Sequence, residues 1–155
     1  MIAKTEITDQ NQFFVTGISV RTTNKDGQSA NDIGGLWTRF MNENLLQQIH
    51  GRLSDDIYCV YTDYESDYTA PYTAILGCAV GSPGDVPDEF TGLTIPAGEY
   101  IAYHLSGEFP ANVGEAWQEI WASNIDRKYT ADYDFYKAGA NSFAETEARI
   151  YLAVG

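Results

Sequence analysis

Three tryptophans and eleven tyrosines in 155 residues are the most chemically distinctive side chains of this sequence. An aromatic face attracts an organic cation by about 0.5–2 kcal/mol, more where water is excluded, so rings around one buried carboxylate form an adequate cation receptor. Neither part suffices alone. Trp37 and Phe40, and likewise Trp117 and Trp121, stand three and four residues apart, which places each pair on one stripe of a helix. Such stripes pack into cores by default, but two of them facing a common groove also present part of each ring to a ligand. Tyrosines crowd positions 58, 61, 64, 68 and 72, and Tyr100 and Tyr103 follow; Tyr61 and Tyr103 are singled out as walls of a binding groove. Strand alternation puts Cys59 and Tyr61 on the face opposite Tyr58 and Val60.

Other chemistries find little support. His50 ends a helical pattern and His104 lies in a strand pattern, without neighbours at metal-ligand spacing, so no metal site and no cofactor are expected. Ser54, Ser106 and Ser142 lack a nucleophile-elbow context, and the glycines at 81 and 84 belong to a Gly- and Pro-rich linker, not a phosphate-binding loop. Twenty-two acidic against nine basic residues leave a formal charge of −13, a field that repels phosphate backbones and argues against direct nucleic-acid binding. No run approaches the roughly 18 apolar residues of a membrane span. The two cysteines sit in apolar strand-like runs, as neighbours across a hairpin, and residues 1–12 hold no apolar signal-peptide core. Reduced thiols and a cytoplasmic location follow as the expectation.

The elements that would carry these residues are readable from periodicity. Residues 13–22, FFVTGISVRT, read as a strand, and Ile33, Leu36, Trp37, Phe40, Met41 and Leu45 mark an amphipathic helix capped by Asn31 or Asp32, with Gly51 just past its end. Strands at 57–64 and 73–80 form a hairpin, and the linker at 81–87 marks the midpoint. The second half repeats the order: a strand at 98–105, a helix at 112–125 capped by Asn112 with Glu115 three residues on, and strands at 133–137 and 148–154. Leu36-Trp37 falls on Ile120-Trp121, and Ala74, Ala79 and Val80 on Ala148, Ala153 and Val154. The expected architecture is one α+β domain over residues 1–155, a tandem β-α-β-β repeat with halves at about 13–81 and 92–155. Its antiparallel sheet carries both helices on one side, with a groove between them.

The segments GISVRTTN, GLWTRFMNE, VYTDYESDYTAPYTAILG, IPAGEYIAYHLSG, the AW and IW of the second helix, ADYDFY and ARIYLAV stand in the order of a known family. Over nearly all of residues 14–155 the chain resembles the GyrI-like small-molecule-binding domain, the effector-binding domain of AraC-type and multidrug-responsive transcription regulators. The resemblance implies the same tandem fold and a pocket for bulky, often cationic, aromatic compounds, in which buried acids among aromatic rings receive the cation. It implies roles for Asp134, Glu147 and Tyr151; in the family's acid-apolar-acid-apolar-Tyr run, Arg149 replaces the second acid. Without the family, Glu147, Arg149 and Tyr151 read as a solvated strand face with a Glu147–Arg149 pair.

The leading expectation is therefore a stand-alone binding module for a lipophilic, cationic or aromatic molecule. Its walls are Trp37, Phe40, Tyr61, Tyr103, Trp121, Tyr136 and Tyr151, and its counter-charge is Glu147 or Asp134. Because some stand-alone relatives are hydrolases, an enzyme using Glu147 as general base with the Tyr151 hydroxyl is the alternative. A further alternative is a protein that binds a basic partner, as gyrase inhibitors of the family do, or a homodimer.

Overall fold

The β-branched and aromatic runs become strands and the two apolar stripes become helices, in a computed structural model that describes residues 2–82, 84 and 86–155. Pro83 and Asp85 of the expected linker lie outside the described residues. In chain order the elements are β1 (Ile2–Gln10), β2 (Phe13–Thr22), α1 (Gln28–Asn42), β3 (Ile57–Thr62), β4 (Tyr72–Val80), β5 (Thr91–Ile95), β6 (Gly98–Leu105), α2 (Ala111–Trp121), β7 (Ala131–Tyr136) and β8 (Ala148–Val154). The strands form one eight-stranded antiparallel sheet in the order β1-β6-β8-β7-β3-β4-β2-β5, and with the two helices this makes an α+β fold.

The pairing register shows that this sheet curls. Gln10 faces Gly98 in the β1–β6 pair and Phe13 faces Ile95 in the β2–β5 pair, so both pairs belong to one long ribbon bent at residues 11–12 and 96–97. Yet β1 and β5 lie at opposite ends of the strand order. Two intervening residues bridge only a short distance, so the two ends of the sheet are drawn together. Val15, Val60, Ile75, Ile95, Tyr100, Tyr133 and Ala153, contributed by seven strands, consequently meet in one core on the face away from the helices. On the other face Ile18, Cys59, Leu76 and Cys78 pack under α1 with Leu36 and Phe40, while Ile150 and Leu152 pack under α2 with Ala116 and Ile120. Gly17 faces Gly77 across β2 and β4, and a Cβ on Gly77 would stand 2.0 Å from the Thr16 carbonyl oxygen, so the closeness of these strands excludes a side chain.

Several local expectations are corrected. Helix α1 begins at Gln28, ahead of Asn31 and Asp32, because Gly27 in a left-handed turn (φ 73°) starts it without a side-chain cap. It ends at Asn42, and a 3-10 turn at Leu45–Gln48 intervenes before Gly51. Helix α2 begins at Ala111, next to Pro110, and stops at Trp121, not at Ile125; the Ser123 hydroxyl donates to the Ile120 carbonyl (2.6 Å), a local bond that competes with further helix. Asn112 does not cap α2 and is buried, its amide directed to the Gly107 carbonyl (3.4 Å). Strands β1 and β5 escape sequence reading because β1 buries no residue fully and β5 has only five residues. Cys59 faces Leu76, not Cys78, so the cysteines are not directly opposed; both are free and buried.

Candidate functional site

The two helices sit side by side on the sheet, and four-residue spacing determines what each offers to the space between them. Ile33, Trp37 and Met41 line one wall from α1, and Val113, Trp117 and Trp121 line the other from α2. The cleft they enclose has a volume of about 890 Å³. Tyr61 of β3 and Asp134 and Tyr136 of β7 form its floor, and Tyr64, Tyr68 and Tyr72 close the end nearest the β3–β4 connection. Rings contact rings throughout: Tyr61 meets Trp117 edge-on at 5.3 Å, Trp37 meets Tyr136 at 5.1 Å, and Tyr68 stacks on Trp121 at 6.0 Å with 6° between the planes.

Asp134 is the polar centre of the floor. It is 1% exposed, and its carboxylate accepts hydrogen bonds from the Tyr61 hydroxyl (2.5 Å), the Tyr136 hydroxyl (2.8 Å) and the Trp117 indole N–H (2.9 Å). Burial pushes its pKa up from 3.8 to about 6, and the three donors only partly offset that push. Burial together with the adjacent carboxylate holds the Tyr61 and Tyr136 hydroxyls well above the ordinary tyrosine range, so both remain protonated donors. Among the described residues no lysine, arginine or histidine pairs with Asp134.

Asp132 lies two residues earlier on the same face and contrasts with it. Its Oδ2 accepts from the Arg127 guanidinium (2.7 Å) and the Tyr64 hydroxyl (2.7 Å), and its Oδ1 accepts from the Ala153 amide (2.8 Å). Burial is the largest single influence and opposes the charge on Arg127, but the Asp132 carboxylate together with Tyr64 and Tyr129 outweighs it and raises the arginine pKa. One buried acid is thus neutralised within the protein, and the other is left with neutral donors. Sequence reading passed over Asp132, although the alternation in ADYDFY puts it on the face of Asp134; Arg127, in the loop after α2, carried no periodic signal.

Of the residues expected in the groove, Trp37, Tyr61, Trp121, Asp134 and Tyr136 are brought together in this cleft. Phe40 is buried beneath α1, and Tyr103 is buried beneath α2 against Trp117 and Ile120; neither lines the cleft. Glu147 and Tyr151 are on the other side of the sheet. In β8, Ala148, Ile150 and Leu152 are buried, with Ile150 and Leu152 under α2, and the two-residue period sends Glu147, Arg149 and Tyr151 to the opposite face. There Glu147 is exposed and pairs with Arg149 (2.7 Å), and Tyr151 stacks on Tyr133 at 4.7 Å. The acid and hydroxyl expected of the hydrolase alternative therefore do not reach the cleft. Among the described residues no group of three His, Cys, Asp or Glu is placed to hold a metal ion, and no helix is long and apolar enough to cross a membrane.

This architecture has known counterparts. The family described as integron-associated effector binding protein matches residues 6–154. An integron cassette protein from the mobile metagenome of Vibrio cholerae is 31% identical, with 99% of this chain and 97% of that chain covered and a TM-score of 0.77. SAV2435, solved bound to tetraphenylphosphonium, shares 16% identity over 98% of this chain and 94% of that one, with a TM-score of 0.78. A protein described as a putative bacterial transcription regulation protein from Staphylococcus aureus MU50 shares 14% identity over 96% of each chain, with a TM-score of 0.74. Among curated proteins none matches the chain.

Proposed function

The chain belongs to the family of integron-associated effector binding proteins, and from that premise we propose that it captures lipophilic, cationic aromatic molecules in the cleft between its helices. The observation that carries this reading is Asp134, a buried carboxylate with three neutral donors and no cationic partner among the described residues, set under a box of aromatic rings. A carboxylate so placed costs stability in the empty protein, and a ligand cation is the partner that offsets the cost. Rings of Trp37, Tyr61, Trp117 and Trp121 supply the attraction that a delocalised cation feels and a neutral molecule does not. The cleft volume suits a bulky ligand, lying within the roughly 300–1,000 Å³ typical of small-molecule sites. The tetraphenylphosphonium carried by SAV2435, a protein of the same fold, is a cation of the matching kind.

Such capture serves sensing or sequestration of drug-like effectors, in a cytoplasmic setting where thiols such as the free, buried Cys59 and Cys78 stay reduced. We also read residues 1–155 as one module whose halves, at 13–81 and 92–155, derive from a single unit. The matching sheet order on either side of the β7–β3 pair supports that origin.

Thermal unfolding with tetraphenylphosphonium and with neutral triphenylphosphine oxide tests the function. A ligand at 100 times its dissociation constant adds about 2.7 kcal/mol, a readily measured rise in Tm. Stabilisation by the cation and not by the neutral compound is expected; equal shifts would remove Asp134 from the account.

A further inference from the structure

Arg127 is a charged feature of the cleft that cation capture leaves unused. Its side chain is only 4% exposed, yet it lies in the cleft wall. The guanidinium carbon stands 4.4 Å from the Tyr129 ring centre, 5.7 Å from that of Trp117 and 5.9 Å from that of Tyr64. Its Nη2 donates to Asp132 (2.7 Å) and to the Tyr64 oxygen (3.4 Å). Its Nε and Nη1, both buried, find no acceptor among the described residues. Buried donors left without an acceptor are rare and costly, and a guanidinium has no neutral form in which to escape that cost. Asp132 neutralises the charge of Arg127 without occupying these two nitrogens, and the surrounding rings screen them from bulk water.

Trp117 sets the geometry. The indole N–H is bonded to Asp134 and a face of the same indole is turned to Arg127, so one ring system contacts both polar groups. We propose that Arg127 is a second anchor of the cleft, receiving an anionic or strongly accepting oxygen of the ligand while Asp134 faces its cation. The molecule taken up is then bipolar: an aromatic cation carrying a carboxylate or equivalent acceptor. The proposal rests on the cation reading for Asp134, but Arg127 makes a separate demand on the ligand. Tyr129, outside the cleft lining, packs over the guanidinium, and reaching the buried Nε and Nη1 requires an overlying ring to turn aside.

The test compares three probes by titration calorimetry: tetraphenylphosphonium, its zwitterionic relative (4-carboxyphenyl)triphenylphosphonium, and 3,3,3-triphenylpropionate, which has the carboxylate and no cation. Each is measured against the native chain and against Arg127→Met combined with Asp132→Asn, which removes the buried ion pair as a unit. Carboxylate probes should lose at least about tenfold more affinity in the variant than tetraphenylphosphonium loses, the scale of a hydrogen bond to a charged group. Equal losses for all three overturn the proposal and leave Arg127 a structural partner of Asp132. If tetraphenylphosphonium fails to bind the native chain while triphenylpropionate binds in an Arg127-dependent way, the cation reading falls and the anchor stands; if no probe binds, both fall. Should the double variant not fold, Arg127→Lys keeps the ion pair without the planar donors and is expected to show the same selective loss, smaller in size.

Discussion

Asp134→Asn separates what the floor carboxylate costs the empty protein from what it contributes to a complex. In the folded chain this group titrates at about 6 in place of 3.8, because burial disfavours its charge more than its three donors favour it. An acid whose folded pKa is raised binds its proton more tightly when folded, so its presence lowers stability as pH rises from about 4 to about 6 and leaves a constant penalty above. Two pK units correspond to about 3 kcal/mol. Asn escapes that penalty, but its NH₂ must replace one acceptor oxygen, and opposite the Trp117 N–H this forfeits a bond worth about 1 kcal/mol. Relative to the native chain, the variant should be about 1 kcal/mol less stable near pH 4 and about 2 kcal/mol more stable near pH 8. Urea unfolding across that range measures the difference, and its slope is the decisive quantity. A cation held about 5 Å from the carboxylate at an effective dielectric of about 20 gains about 3 kcal/mol, so the same variant should bind tetraphenylphosphonium about 100-fold more weakly. Parallel stability curves for the two proteins would refute the titration argument, and an unchanged dissociation constant would refute the counter-charge.

The remaining predictions test the surroundings of that group. Tetraphenylphosphonium affinity of the native chain should be flat above about pH 6 and fall about tenfold per unit below it, because the proton competes with the cation for Asp134; titration calorimetry at several pH values reads this directly. Glu147→Gln and Tyr151→Phe should each leave that affinity within about twofold, since both side chains stand on the far face of the sheet, and a larger loss would mean that face takes part in binding. Arg127→Ala should cost about 3–5 kcal/mol in urea unfolding by stranding the Asp132 carboxylate, and adding Asp132→Asn should restore much of it. Gly77→Ala should cost about 1–3 kcal/mol by forcing β2 and β4 apart at Thr16, visible as a lower Tm.

Much of the scaffold was legible because it depends on local patterns. Apolar spacing of three and four residues located both helices, and β-branched and aromatic runs located six of the eight strands within two residues at either end. Helix caps were misplaced because Gly27 and Pro110 start helices without the side-chain bonds that sequence signals advertise. Edge strand β1 was missed because a strand without a buried face leaves no alternation to read.

Residue types and periodicity by themselves determined that two aromatic stripes would lie on helices over an antiparallel sheet. Which acid meets the stripes was decided only by tertiary structure. Alternation divides β8 into two faces, but only packing against α2 shows that the Ile150 and Leu152 face is the inner one, which sends Glu147 and Tyr151 away. The contrast between Asp132 and Asp134 likewise depends on where the loop after α2 returns Arg127, a contact between residues brought together by the fold and not by spacing. Periodicity specifies faces within an element; the charge balance of a cavity is set by contacts between elements.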